Sequence, residues 1–184
     1  MRKLIFIASI CIAQLADAQV QTEYYSNGKK KSEGEYLSSG TGTSVVFASD
    51  GSTRQSPVQT KKGSWNYWYD SGIKSSEESY TNGVSSGVWK TWYPDGVKSS
   101  EINYASHKAT FWYKNGIKQS EGEMLENRVF NGKWTGWQEN GVKSYEGNYL
   151  NGKKEGDWNW YDSAGKLASK QIFKNDELLD TQKY

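Results

Sequence analysis

The sequence predicts an all-β fold, in which about six to seven tandem β-hairpins form an elongated single-layer antiparallel sheet. The stretch Gly63–Tyr80 recurs in close copies at Gly87–Tyr104 and at Gly132–Tyr149. Each copy places a glycine turn after a short aromatic run, and then Lys, Glu and Tyr at fixed offsets. An aromatic strand, a glycine turn and a patterned return strand are typical of a hairpin, and their repetition indicates an array.

The first element, residues 1–18, has the pattern of a secretory signal peptide. A charged start at Met1–Lys3 precedes the apolar run Leu4–Leu15 and the small-residue ending Ala16–Ala18. This pattern predicts cleavage after Ala18 and export to the periplasm or the medium. The apolar run is shorter than the ~20 residues of a membrane span. We therefore expect residues 19–184 to form the repeat array, with no transmembrane segment after cleavage.

Composition excludes several classes of function for residues 19–184. The one cysteine, Cys11, lies in the predicted signal peptide, which leaves neither a disulfide framework nor a thiol nucleophile. Nine Trp and 13 Tyr supply the large apolar surfaces of an aromatic core. The formal net charge is only +2, whereas a nucleic-acid-binding protein would need a strongly basic face.

Turn glycines mark the successive hairpins along the chain. Asn-Gly or Asp-Gly dipeptides at five of them predict two-residue type I′ turns. The second unit, residues 42–59, is degenerate, because it keeps only the spacing, Phe47 and the Asp50-Gly51 turn. An alternative interpretation makes residues 38–62 a Ser/Thr/Gly loop that interrupts the array. The turn glycines are Gly28, Gly51, Gly72, Gly96, Gly116, Gly141 and Gly165.

Five columns of residues recur at fixed positions in the units. Two precede the turn glycine, the second-position Trp residues and the fifth-position aromatics, and three follow it, namely Lys, Glu and a late Tyr. The fifth-position aromatic column is the most regular and is the predicted repeat core: Tyr24, Phe47, Trp68, Trp92, Trp112, Trp137 and Tyr161. A two-residue turn would pair the second-position Trp residues with Glu78, Ile102, Gly147 and Gln171. That register puts these Trp residues, the Lys column and the late Tyr column on one side of the sheet, opposite the fifth-position aromatics and the Glu column.

Because a single-layer sheet cannot bury both faces, the side with the second-position Trp residues is the candidate partner-binding surface. Its candidate residues belong to three columns. The second-position column is Trp65, Trp89, Trp134 and Trp158, the late Tyr column is Tyr36, Tyr80, Tyr104 and Tyr149, and the Lys column is Lys30, Lys74, Lys98, Lys118 and Lys143.

The pattern Gly-x-Trp-x-x-Trp-Tyr-x-x-Gly-x-Lys-x-x-Glu-x-x-Tyr-x-x-Gly is fullest in Gly63–Gly83 and Gly132–Gly152. It resembles the MORN repeat, and more narrowly the bacterial variant of YwqK-type proteins, many of which are labelled antitoxins. The resemblance implies a single-layer sheet of hairpins that holds proteins or membranes, without enzyme activity. The choline-binding cell-wall repeats are a more distant alternative, since they lack the Lys–Glu–Tyr return strand.

No constellation of residues indicates catalysis, a metal or a cofactor. His107 is the one histidine. The Glu column recurs too regularly to be a single pair of catalytic carboxylates, and it consists of Glu33, Glu77, Glu101, Glu121 and Glu146. The expected function is a non-enzymatic exported scaffold that binds a protein partner, in an antitoxin or immunity-type role. The alternative is an envelope-surface binder of anionic phospholipid or cell-wall glycan, through the Lys and late Tyr columns.

Overall fold

The computed structural model describes residues 19–47 and 53–184, with side chains for residues 20–37 and 59–184. These residues contain no helix, and so none that is long and apolar enough to cross a membrane. The strands are β1 (Gln19–Tyr24), β2 (Lys30–Phe47), β3 (Thr53–Trp68), β4 (Lys74–Thr81), β5 (Val84–Ser85), β6 (Val88–Trp92), β7 (Lys98–Asn103), β8 (Lys108–Trp112), β9 (Lys118–Met124), β10 (Phe130–Trp137), β11 (Lys143–Leu150), β12 (Lys153–Tyr161), β13 (Leu167–Lys174) and β14 (Glu177–Lys183).

All 14 strands lie in one open antiparallel sheet, whose spatial order follows the chain. The short β5 pairs with β4 and lies off the main path. Each strand therefore pairs with its sequence neighbours, as successive hairpins of a meander do. The predicted all-β array of tandem hairpins is confirmed.

The second unit is not a hairpin of its own. Residues 43–47 pair with residues 53–57, so the segment continues the long hairpin of β2 and β3. The described residues of this segment are strands. The turn at Asp50-Gly51 and the side chain of Phe47 lie outside the described residues. The first unit consequently packs directly on the third, where the Tyr25 hydroxyl donates to the Trp68 carbonyl at 2.7 Å.

The tips of the hairpins have a different turn from the predicted one. At the third unit, Tyr69 N donates to Ile73 O and Gly72 N donates to Tyr69 O, both at 2.8 Å. Gly72 has a φ of 89°, and it is the one residue of this loop with a positive φ. The tip is therefore a three-residue loop, a type I turn followed by a left-handed glycine. The prediction of two-residue type I′ tips was wrong.

Paired positive φ angles, as a type I′ turn requires, occur instead in the links at the opposite ends of the strands. In the link after β4, Asn82 has a φ of 49° and Gly83 one of 80°. Asn151 and Gly152, in the link after β11, have 51° and 83°.

The predicted register is nevertheless right, because a β-bulge compensates for the longer tip loop. Trp68 pairs with Lys74 and Tyr67 with Ser76, which leaves Ser75 as the extra residue. Beyond the bulge the pairs are the predicted ones, namely Trp65↔Glu78, Trp89↔Ile102, Trp134↔Gly147 and Trp158↔Gln171.

The bulge also changes the side of the sheet on which the Lys column lies. Successive side chains normally alternate, but an extra residue breaks that alternation. Lys74 Nζ consequently contacts Glu77 and lies 3.1 Å from Asn66 Oδ1. The Lys column shares a side with the Glu column and the fifth-position aromatics, and its predicted place beside the second-position Trp residues was wrong.

The buried core is formed by the second-position column. Trp65, Trp89, Trp134 and Trp158 are 3%, 8%, 0% and 1% exposed. In the column predicted as core, Tyr24 is 62% exposed and Trp68, Trp92, Trp112, Trp137 and Tyr161 are half-buried. Glycines explain the difference. Cβ atoms added at Gly34, Gly122 and Gly147 would lie within 2.4 Å of the indoles of Trp65, Trp134 and Trp158, so these rings lie flat against backbone.

Candidate functional site

We call the side of the sheet that carries Trp65, Trp89, Trp134 and Trp158 the tryptophan face. Each of these indoles donates its Nε1 proton to a main-chain carbonyl of the preceding strand or turn. Trp89 Nε1 lies 2.8 Å from Ser79 O, and Trp134 Nε1 lies 2.8 Å from Glu123 O. Trp65 and Trp158 make the same bond to Glu35 O at 3.1 Å and to Asn148 O at 3.2 Å. Their polar atoms are therefore satisfied inside the protein.

Other side chains cover these four indoles on the outside. The Lys61 ammonium lies 4.9 Å from the centroid of the Trp65 ring, and the Lys154 ammonium lies 4.9 Å from that of Trp158. Phe130 stacks on Trp134 with centroids 4.0 Å apart. Trp89 is covered by the Arg128 guanidinium at 4.8 Å. The second-position Trp residues, predicted as partner contacts, are thus enclosed by the protein itself.

The late Tyr column packs against the edges of the same indoles. Tyr36 meets Trp65 edge-on at 4.6 Å, and Tyr149 meets Trp158 edge-on at 5.0 Å. Tyr80 and Tyr104 lie on either side of Trp89, at 5.1 and 5.3 Å. Burial, together with a hydrogen bond to Glu78, raises the pKa of Tyr80, and burial raises that of Tyr149. Tyr80 and Tyr149 therefore stay neutral at ordinary pH, and both pack against the core.

The opposite side, which we call the lysine face, carries a ladder of ion pairs. Lys30, Lys98, Lys118 and Lys143 lie 2.7, 2.8, 2.6 and 3.3 Å from the carboxylates of Glu33, Glu101, Glu121 and Glu146, and Lys74 pairs with Glu77. Each ammonium also lies over the fifth-position ring of the following hairpin. The distances to Trp68, Trp92, Trp112, Trp137 and Tyr161 are 5.2, 5.9, 4.8, 5.1 and 5.1 Å.

This arrangement brings the predicted Lys, Glu and fifth-position columns together. Each lysine of the Lys column has a carboxylate partner, and Lys90 and Lys133 also approach two of these carboxylates, Glu77 at 3.9 Å and Glu146 at 3.6 Å. Between the ion pairs lie the rings of Trp68, Trp92, Trp112 and Trp137, all half-buried. The lysine face can therefore offer half-buried aromatic rings to a partner, surrounded by charged side chains that are paired with one another.

A sixth-position column, which the sequence prediction missed, ties the hairpins together at their tips. The hydroxyls of Tyr25, Tyr69 and Tyr93 each donate to the main-chain carbonyl of the next fifth-position Trp at 2.7 Å, and that of Tyr113 does so at 2.9 Å. In the following unit Gln138 Nε2 takes this place and donates to Asp162 O at 3.2 Å. The recurring aromatic-Tyr dipeptide was the available signal.

A polar groove of about 410 Å³ lies around the β8–β9–β10 segment of the sheet. It is lined by Lys108, Ala109, Thr110, Glu121, Gly122, Glu123, Lys133 and Thr135. A smaller groove of about 230 Å³ shares Lys133 and continues to Asp157 and Asn159. Among the described residues no group of three or more His, Cys, Asp or Glu is placed to hold a metal ion.

An open, helix-free sheet of tandem hairpins defines the class of this protein, a β-repeat array. Three stretches of the array, residues 20–37, 86–106 and 154–175, match the family model described as a MORN repeat variant. No curated protein matches the chain. The matched hairpins are thus similar to MORN repeats, and the tip loops at Gly72, Gly116 and Gly141, between the matched stretches, have the same main-chain hydrogen bonds.

Proposed function

We propose that the protein is a non-enzymatic repeat scaffold that binds a protein partner through its lysine face. Proteins with MORN repeats are generally scaffolds that bind proteins or membranes, and three hairpins of this chain match that repeat. An array in which each unit contacts its neighbours gives an extended surface rather than a single pocket.

The observation that carries the proposal is the row of half-buried Trp rings between internal ion pairs on the lysine face. Protein interfaces are enriched in aromatic residues at their centre, and the polar rim is typically solvated. Trp is also the residue type most often found to dominate binding energy. The four indoles of the tryptophan face lack this property, because they are buried, with exposed fractions of 3%, 8%, 0% and 1%.

Two finer parts of the proposal rest on the sequence. Export is supported by the signal-peptide pattern of residues 1–18. An antitoxin or immunity-type role is supported by the likeness of the repeats to YwqK-type proteins. In that role the partner is a toxin, and the lysine face covers part of its surface.

The test is affinity capture from the envelope fraction by tagged protein, followed by mass spectrometry. The variant Trp92→Gln/Trp112→Gln removes two rings of the lysine face, and we expect it to lose the partner that the unchanged protein retains. The matched control Tyr36→Gln/Tyr67→Gln removes two half-buried rings of the tryptophan face, and it should retain that partner. Equal retention by all three proteins, or no retained protein at all, contradicts the proposal.

A cell-wall glycan is a second candidate ligand, favoured by the 410 Å³ groove with its Thr, Lys and Glu lining. Anionic phospholipid has less support, because each residue of the Lys column is paired with a carboxylate. Sedimentation with peptidoglycan and with phosphatidylserine vesicles separates the ligands. Retention by peptidoglycan that is lost in Thr110→Ala/Thr135→Ala supports the glycan. Salt-sensitive retention by vesicles supports the lipid.

A further inference from the structure

The open edge of β14 is the most exposed part of the described sheet. All seven residues of the strand are exposed, including Leu178 at 49% and Leu179 at 58%, and Tyr184 directly after it is 69% exposed. β14 pairs with β13 on one side, and within the described residues no strand pairs with its other side. An uncovered apolar edge is a template for pairing with another strand.

The main-chain hydrogen bonds show which groups of β14 point to this open edge. Tyr184 N donates to Ala168 O of β13 at 3.0 Å. The register is continuous from Ser169↔Lys183 to Ile172↔Asp180. Because bonded and non-bonded pairs alternate in an antiparallel ladder, Gln182 and Asp180 also bond to β13. The N–H and C=O groups of Thr181 and Lys183 therefore point away from the sheet, whereas a β-bulge at Leu179 ends the regular alternation.

The direction of the strands decides what kind of pairing is available between copies. An even number of antiparallel steps separates β1 from β14 along the sheet, so the two edge strands run in the same direction. If β1 of one copy paired edge to edge with β14 of another copy in the same orientation, the two strands would form a parallel pair. A two-fold axis beside β14 creates an antiparallel pair instead, like every other pair in this sheet.

We propose that β14 pairs with β14 of a second copy of this chain across a two-fold axis at Thr181. In this register Thr181 faces the second copy's Thr181, and their outward-pointing N–H and C=O groups bond to one another. Asp180 then lies opposite Gln182, and Leu178 lies opposite Tyr184. No like charges face each other, the Thr–Thr pair is favourable, and the three exposed apolar side chains of this edge gain neighbours.

β1, at the other edge, fits this role less well. Gln21 and Thr22 of β1 are half-buried, whereas every residue of β14 is exposed. Since a contact along one strand is smaller than a standard interface, we expect a reversible, concentration-dependent dimer.

The first experiment is sedimentation velocity of the 184-residue chain over a wide range of protein concentration. We expect a monomer–dimer equilibrium. Thr181→Pro removes an N–H group that points to the second copy, and it should give a monomer at every concentration. Thr22→Pro is the matched control, because it changes the same residue type in the opposite edge strand. It should leave the dimer intact, and far-UV circular dichroism checks that both variants keep the fold.

The second experiment uses a disulfide at the two-fold axis in a Cys11→Ser background. Facing residues of a hydrogen-bonded antiparallel pair have Cα atoms ~5.5 Å apart, within the ~4.4–6.8 Å range of disulfides. Thr181→Cys should therefore form a covalent dimer under mild oxidation. Lys183→Cys, exposed on the same strand but displaced from the axis, should not. A monomer at all concentrations, a dimer abolished by Thr22→Pro, or equal cross-linking at both cysteines overturns the proposal.

Discussion

Tyr69 donates a hydrogen bond from its side-chain hydroxyl to the main-chain carbonyl of Trp92, at 2.7 Å. The two residues belong to neighbouring hairpins, and the same bond recurs from Tyr25 to Trp68 and from Tyr93 to Trp112. The carbonyl concerned lies at the end of a strand, next to the tip loop. This bond joins the tips of neighbouring hairpins, beyond the point where their main-chain hydrogen bonds end.

Tyr69→Phe should weaken the contact between the third and fourth hairpins. The change removes one hydrogen bond and leaves the Trp92 carbonyl without its donor, which costs about 0.5–1.5 kcal/mol of unfolding free energy. Denaturant unfolding measures the loss, and amide hydrogen exchange should show it concentrated at the tips of these two hairpins. Tyr24→Phe, which alters an exposed side chain, is the control and should be nearly neutral.

Trp134→Ala should be the most damaging of the Trp→Ala changes in the array. Trp134 is fully buried, so the substitution leaves a cavity and costs ~3–5 kcal/mol. Trp92→Ala removes a half-buried ring and should cost clearly less, and Tyr24→Ala, at the exposed end of the same column, should cost least. Chemical denaturation followed by circular dichroism gives the three values. A larger loss of unfolding free energy in Trp92→Ala than in Trp134→Ala would show that the fifth-position column forms the core.

Gly122→Ala should destabilise the protein by overpacking, although alanine is a small residue. The added Cβ would lie 2.4 Å from the Trp134 ring, which has no room to move away because Phe130 stacks on its outer side. The expected loss is about 1–3 kcal/mol. In a Trp134→Ala background the same change should cost much less, since the ring is gone. Additive losses in this double-mutant cycle would contradict the close contact.

Glu146 should contribute a pH-dependent part of the stability. A hydrogen bond from Tyr161 and the nearby Lys143 and Lys133 lower its pKa to about 2, from 4.5 for a free side chain. Because the folded-state pKa is the lower one, the stabilisation is complete above pH 4.5 and is lost as the pH falls towards 2. The midpoint of thermal unfolding should therefore fall less steeply over this range in Glu146→Gln than in the unchanged protein.

Tyr161→Phe tests the leading cause of that shift. The same hydrogen bond raises the pKa of Tyr161 to about 12. Removing the hydroxyl should bring the pKa of Glu146 up towards 4.5, which a titration of its side-chain carboxyl by NMR detects. An unchanged Glu146 titration in Tyr161→Phe would assign the shift to the two lysines instead.

The repeat period, the strand pairing and the hairpin array could all be predicted from sequence, because spacing alone determines them. Trp65↔Glu78 is an example, since any loop that preserves the count brings these two residues together. The side of the sheet on which Lys74 lies could not be predicted. It depends on the bulge at Ser75, and no residue type there distinguishes a bulged from a regular strand.

The identity of the core could not be predicted for a related reason. The fifth-position aromatics are the more regular column, but regularity does not measure burial. The second-position indoles are buried because glycines such as Gly34 and Gly147 in the neighbouring strand let them lie against backbone. That signal is present in the sequence, in the glycine six residues after the turn glycine, but it can be interpreted only when the two strands are known to be neighbours.

The contacts between hairpins have a constant direction along the chain. A hairpin such as the third extends its Tyr hydroxyl and its Lys ammonium to the hairpin that follows, and the following hairpin supplies the carbonyl and the ring that they contact. A duplicated hairpin would bring one complete set of donors and one complete set of acceptors. Such an array can gain or lose whole hairpins through gene duplication and deletion without leaving an unmatched group at the junction. The number of hairpins can therefore change with the size of the partner that the array binds.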